Sequence, residues 1–142
     1  MSKPSLCVLG FDYGTRWIGV ATGQTLLGTA SALKPLMARD GIPDWDEIGQ
    51  LIGEWQPDVV VIGLPLNMDG SPSELSQRAG KFGRRLNGRF GVEVEYWDER
   101  LSSFEAKGEI MTKRHSKNFK REAVDSLSAQ LILESWMRSR PA

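Results

Sequence analysis

An α/β layer fold, built on a five-stranded mixed sheet with helices on both faces, is the expectation for this chain, and three observations carry it. Residues 5–12 and 17–22 read as paired strands around the reversal Tyr13-Gly14-Thr15-Arg16, and residues 26–33 read as a third, which makes an antiparallel meander. Val59-Val60-Val61-Ile62-Gly63 is an unbroken apolar run rich in β-branched residues, the pattern of a strand buried on both faces in a parallel arrangement. Between and after these runs, apolar residues recur at helical spacing, so the order is three strands, helix, strand, helix, strand, helices.

Each element has its own signal. Trp45, Ile48, Leu51, Ile52 and Trp55 line one face of a helix, with Pro43 near its first turn and Pro57 closing it. Ser71-Pro72-Ser73-Glu74 has capping-box spacing and predicts a helix whose apolar face is Leu75, Ala79, Phe82 and Leu86. Val92, Val94 and Tyr96 alternate with Glu93, Glu95 and Trp97, the pattern of a half-wet strand at a sheet edge. Ser102 with Glu105 predicts a helix through about Thr112, followed by a basic connector. A last helix spans about Glu122 to Arg138, with Leu127, Leu131 and Ile132 toward the core.

The chain has 142 residues, enough for one domain with a real core and too few for two. No apolar run is long enough for a signal peptide or a membrane span, so a cytoplasmic protein with no membrane partner is expected. The single cysteine, Cys7, lies inside the first strand and reads as a small core residue. His115, in the basic connector, reads as a solvated loop residue.

Eighteen basic and eighteen acidic residues give a net charge of zero, but they are segregated along the chain. Arg78, Lys81, Arg84, Arg85 and Arg89 form one acid-free block, and Lys113, Arg114, Lys117, Lys120 and Arg121 form another. A neutral total can therefore hide a cationic face suited to phosphates. Arg16 at the first hairpin could hold a phosphate bidentately, and Asn67, in the loop Leu64 to Gly70, could hydrogen-bond a phosphate or sugar.

Carboxylates stand at three places that could converge. Asp12 ends the first apolar strand, where an acid costs stability unless a cation meets it. Asp98 and Glu99 end the last strand, and because successive strand residues face opposite ways, only one of them should share a site with Asp12; Glu99 is favoured. Asp125 has Ala129, Ile132 and Trp136 at i+4, i+7 and i+11, so helical geometry aims it along an apolar stripe toward the sheet. Carboxylates without nearby histidine suit Mg²⁺ or Mn²⁺, and two such ions can drive phosphodiester hydrolysis.

Gly10-Phe11-Asp12-Tyr13-Gly14-Thr15-Arg16-Trp17-Ile18-Gly19-Val20-Ala21, Val61-Ile62-Gly63-Leu64-Pro65-Leu66-Asn67-Met68-Asp69-Gly70, Asp98-Glu99-Arg100-Leu101-Ser102-Ser103 and Ala123-Val124-Asp125-Ser126 together resemble the YqgF (RuvX) family of RNase H-like bacterial nucleases. The resemblance implies an RNase H-like fold over residues 1–142, divalent metal dependence, and trimming of the 5′ end of precursor 16S ribosomal RNA. It equally implies the family's other described activity, resolution of Holliday junctions. Many RNase H-like nucleases carry an acid where this chain has Gly63-Leu64-Pro65, so the second carboxylate must come from elsewhere, with Asp98 or Glu99 as suppliers. The expectation is therefore an endonuclease acting on structured RNA, as a monomer or a homodimer. Asp12, Glu99 or Asp98, and Asp125 would hold the ions, and the basic blocks would grip backbone. Branched DNA is the alternative substrate, and a non-catalytic RNA-binding assembly factor the alternative class. Asp12-Tyr13-Gly14-Thr15 also resembles the first phosphate loop of actin-like ATPases, but those close a cleft between two such domains and this chain has length for one.

Overall fold

The computed structural model describes residues 5–101 and 121–140, the side chains of residues 121–125 excepted. A six-stranded mixed sheet organises them, in the order β4-β3-β2-β1-β5-β6. Strands β1 (Cys7–Asp12), β2 (Trp17–Gln24) and β3 (Thr29–Arg39) form the expected antiparallel meander, and β4 is the two-residue strand Ile42–Pro43. This short strand is the sixth, beyond the five read from sequence. Helix α1 (Trp45–Trp55) precedes β5 (Val59–Leu64), and α2 (Glu74–Phe90) precedes β6 (Glu93–Asp98). Both β1 with β5 and β5 with β6 pair in parallel. A 3₁₀ turn, Glu99–Leu101, follows, and the last described helix, α3, is Arg121–Ser139.

Alternation along each strand builds two cores. Leu9 and Phe11 of β1 and Val60 and Ile62 of β5 pack with Ile48, Ala79, Phe82 and Leu86 under α1 and α2. Val8, Val59 and Val61 face the other way, against Ala129, Ile132, Leu133, Trp136 and Met137 of α3. Burying each large aliphatic or aromatic side chain contributes about 1.5–3 kcal/mol, which makes β1 and β5, covered on both faces, the rigid centre of the molecule. The β6 edge is only half-buried, as its alternating pattern predicts.

Three sequence expectations shift. The third strand runs over Thr29–Arg39, not 26–33; Leu26 and Leu27 sit exposed in the turn, where Leu27 and Gly28 donate backbone hydrogen bonds to the Gln24 carbonyl. The strand passes Pro35 by a register shift against Ile18–Val20, which accommodates a residue with no N–H to give the ladder. Helix α2 begins after Ser73; the Ser71 hydroxyl is engaged within the preceding loop, accepting from Asn67 Nδ2 and donating to Asp69 Oδ1. Ser73 caps instead: its Oγ accepts from the Ser76 N–H, and Ser76 Oγ accepts from the Ser73 N–H. In α3 the sheet-facing residues are Ala129, Ile132, Leu133, Trp136 and Met137, while Leu127 and Leu131 are half-buried at the flanks. The helix expected from Ser102 to Thr112 lies outside the described residues.

Candidate active site

Asp12 is the last residue of β1, and its register partners are Gly19 on β2 and Gly63 on β5. Val8 and Gly10 face α3, so alternation puts Asp12 on that face as well; a Cβ on Gly10 would stand 3.1 Å from Leu133 Cβ. Both strand neighbours of the acid are thus glycines, which leaves room beside it. At Gly63 that room is filled by another residue. A Cβ there would stand 2.6 Å from Ile132 Cδ1, 2.8 Å from Glu99 Oε1 and 2.9 Å from Glu99 Cγ. The Glu99 carboxylate therefore lies over Gly63, one strand away from Asp12, a lateral step of about 4.8 Å.

Asp98 goes the other way. Tyr96, two residues earlier, faces α2 and donates to the Gly80 carbonyl, and Asp98 shares that side of the strand. The Arg100 guanidinium grips its carboxylate through Nε, at 3.1 and 3.0 Å, and Nη2, at 2.6 Å. This bidentate bond raises the Arg100 pKa above its ordinary value, with burial acting against it. Arg100 Nη1 also donates to the Met68 carbonyl at 3.0 Å, so the arginine ties the loop after β5 to the end of β6. That loop is internally bonded: the Asn67 N–H donates to the Ser71 carbonyl, the Gly70 N–H to the Asn67 carbonyl, and the Ser71 N–H and hydroxyl to Asp69 Oδ1. The Ser71 donors hold the Asp69 carboxyl below its ordinary pKa. The signal for this clamp in the sequence is the Asp98-Glu99-Arg100 run, in which the arginine can reach back two residues to screen a carboxylate.

Residue 125 is the fifth residue of α3, near its start, and its side chain is outside the described atoms. Its backbone position is informative all the same. The neighbouring Ser126 is buried, and its Oγ accepts from the Val20 N–H at 3.5 Å, next to Gly19, the register partner of Asp12. Ala129, Ile132 and Trp136, the residues one, two and three turns along from 125, are all buried against the sheet. Among the described residues no group of three or more His, Cys, Asp and Glu side chains stands close enough to hold a metal ion. Asp12 and Glu99 themselves carry carboxylate oxygens, the kind of donor that hard divalent cations prefer.

Of the expected phosphate contacts, Arg16 is exposed at the β1–β2 turn. Asn67 spends its side-chain N–H groups inside the loop, on Ser71 Oγ at 3.0 Å and the Pro72 carbonyl at 3.2 Å. Lys81, Arg84 and Arg85 are exposed on α2. Lys113, Arg114, His115, Lys117 and Lys120, and the Arg121 side chain, lie outside the described residues. Half-buried Cys7 bonds through Sγ to the Trp55 carbonyl at 3.3 Å.

The sequence profile of the RuvX family, described as "Holliday junction resolvase", matches residues 6–139. A protein of Azotobacter vinelandii named "Putative pre-16S rRNA nuclease" is 55% identical over 142 residues, covering 100% of this chain and 99% of its own. One of the same name from Marinobacter nauticus is 56% identical over 133 residues, covering 94% of this chain and 93% of its own. Among solved structures, Thermus thermophilus RuvC in complex with a Holliday junction substrate superposes with a TM-score of 0.54 at 16% identity, over 93% of this chain and 94% of that one. The fowlpox virus Holliday junction resolvase does so with a TM-score of 0.55 at 14% identity, over 94% and 99%. At such identities these structures speak for the fold, which is RNase H-like. The profile and the relatives together show that this chain belongs to the RuvX family of nucleases, hydrolases of phosphodiester bonds.

Proposed function

We propose that this protein is a metal-dependent endonuclease that processes the 5′ end of precursor 16S ribosomal RNA in the cytoplasm, as one domain in which Asp12, Glu99 and Asp125 hold Mg²⁺ or Mn²⁺. The observation that carries the reading is the Glu99 carboxylate lying over Gly63, the register partner of Asp12. Gly63 stands where many RNase H-like nucleases have an acid, and Glu99 fills that space from the end of the next strand. A bound divalent ion would supply an activated water at neutral pH and stabilise the leaving oxygen. The chain's own residues position the substrate. Arg100 holds the loop from Leu64 to Ser71 against the end of β6 and makes it a firm wall beside the acids. Arg16 and the basic side chains of α2 and of residues 113–121 neutralise backbone phosphates.

The family description and the likeness to RuvC favour a second substrate, a branched DNA junction. Incubation of the pure protein with precursor 16S rRNA and with a four-way DNA junction, in Mn²⁺, Mg²⁺ or chelator, tests both. The expected result is rRNA cleavage that needs metal and disappears in Asp12→Asn, with thermal stability retained. Wild-type cleavage by Asp12→Asn would overturn the proposal. Junction cleavage alone would move it to DNA, and binding that survives chelator without turnover would make the protein an assembly factor.

A further inference from the structure

The basic residues of α2 divide between two sides of the helix. Arg78, Lys81 and Arg85 follow at i, i+3 and i+7 and make one stripe, which lines a cleft of about 230 Å³ with Tyr13, the turn at residues 40–43, Trp45 and Phe82. Arg84 falls on the other side, in a separate groove with Gln77, Gly80 and Tyr96. We propose that the cleft is a phosphate subsite that anchors one backbone phosphate of the bound strand, a role that rests on the nuclease reading and gives its substrate a second point of attachment.

Three features fit the cleft to that ligand. Its charge is cationic, since three basic side chains face one acid, Asp40. Asp40 is 89% exposed at its side chain and pairs with Arg78 at 3.3 Å, a surface ion pair that an incoming phosphate can replace. Arg78 is also held by the main-chain carbonyl of Asp40, which fixes its guanidinium at the rim whatever the carboxylate does. The frame is rigid as well. Tyr13 Oη donates to the Gly41 carbonyl at 2.7 Å, and the Gly41 and Ala38 N–H groups donate to the Thr15 and Arg16 carbonyls, each at 2.8 Å. Gly41 has φ 80°, and a Cβ there would overlap the Tyr13 hydroxyl, so this turn requires glycine. The floor is aromatic, with Phe82 stacked on Trp45 at 5.8 Å and beside Tyr13 at 5.2 Å.

Size and position choose among phosphate ligands. Clefts that hold a whole small molecule span about 300–1,000 Å³, so this one suits a single phosphate with part of its sugar better than a free nucleotide. It opens at the C-terminal end of β1, where Tyr13 follows Asp12 directly. Tyr13 packs on the α2 side of the sheet while Asp12 faces α3, so a strand anchored there would reach the carboxylates by passing round the end of β1.

Binding of a labelled single-stranded RNA to Asp12→Asn protein, which should leave the strand uncut, tests the subsite across a salt series. Lys81→Gln with Arg85→Gln should weaken binding about tenfold, as loss of charge-assisted bonds does, and make the slope of log K against log salt shallower by about 0.7, the share of one single-stranded phosphate. Asp40→Asn, which keeps a residue tolerant of φ 47°, should tighten it. Lys34→Gln with Arg138→Gln removes equal charge outside the cleft and serves as the comparator. Equal affinity and slope in the two double variants would overturn the proposal. So would saturation by inorganic phosphate, followed at the Arg78 Nε–H resonance, with RNA binding indifferent to Lys81 and Arg85. A wild-type protein that shows the predicted binding pattern but never cuts RNA or DNA would keep the subsite and reject the nuclease reading. A cutter with no such pattern would do the reverse.

Discussion

Gly63 and Glu99 are complementary at the level of single atoms: the glycine leaves a gap at the end of β5 and the glutamate's Cγ and Oε1 occupy it. Gly63→Ala would push a methyl group to within 2.6 Å of Ile132 Cδ1 and 2.8 Å of Glu99 Oε1. Overpacking of this kind costs about 1–3 kcal/mol, so urea denaturation should show a loss in that range, with cleavage falling further because the carboxylate is displaced. Wild-type stability and rate in this variant would mean that the gap is not shared as described. The sequence could say that only one of Asp98 and Glu99 faces Asp12, because the strand period is two. Which one depends on where β6 stops. Asp98 is its last residue and keeps the α2 side, while Glu99 enters a 3₁₀ turn and swings over Gly63, and a one-residue boundary is beyond what periodicity resolves.

The loop between β5 and α2 behaves as an element in its own right, with two sets of bonds holding it: Asp69 to Ser71 within, and Arg100 to Met68 from outside. Because Asp69 has its carboxyl pKa lowered by the Ser71 donors, its contribution to loop order is complete above the ordinary value of 3.8 and is lost as pH falls through the lowered one. An NMR titration of the Asp69 carboxyl carbon should therefore show a midpoint below 3.8, with the Ser71 amide shifting in step. A midpoint at or above that value would remove the bond from the loop's support. The same bonds explain why the start of α2 was misread. Two serines two residues apart both suit a cap; Ser71 is turned into the loop, between Asn67 and Asp69, and Ser73 accepts from the helix. In α2 itself the apolar stripe was legible from spacing, whereas the division of its basic residues between two clefts was not, since that depends on the β3–β4 turn meeting Arg78 across the sheet end.

At the scale of the whole molecule, strand order and the two-sided core follow from patterns that are plain in the sequence. The β-branched run Val59–Ile62 is central because both faces are covered, and β6 is an edge because one of its faces is wet. The limits of β3 were not legible, since a register shift past Pro35 has no periodic signature. The convergence of carboxylates is the larger claim, and it concerns residues from opposite ends of the chain. Asp12 closes β1, Glu99 reaches over from beyond β6, and residue 125 stands near the start of a helix whose next residue touches β2 beside the partner of Asp12. Calorimetric titration of Mn²⁺ into wild-type, Asp12→Asn, Glu99→Gln, Asp125→Asn and Asp98→Asn proteins, paired with cleavage of precursor rRNA, tests that convergence most directly. Loss of Mn²⁺ binding and of cleavage, by about 10²-fold or more, is predicted for the first three variants, with both retained in Asp98→Asn. Wild-type metal affinity and cleavage in Glu99→Gln or Asp125→Asn would contradict a shared site.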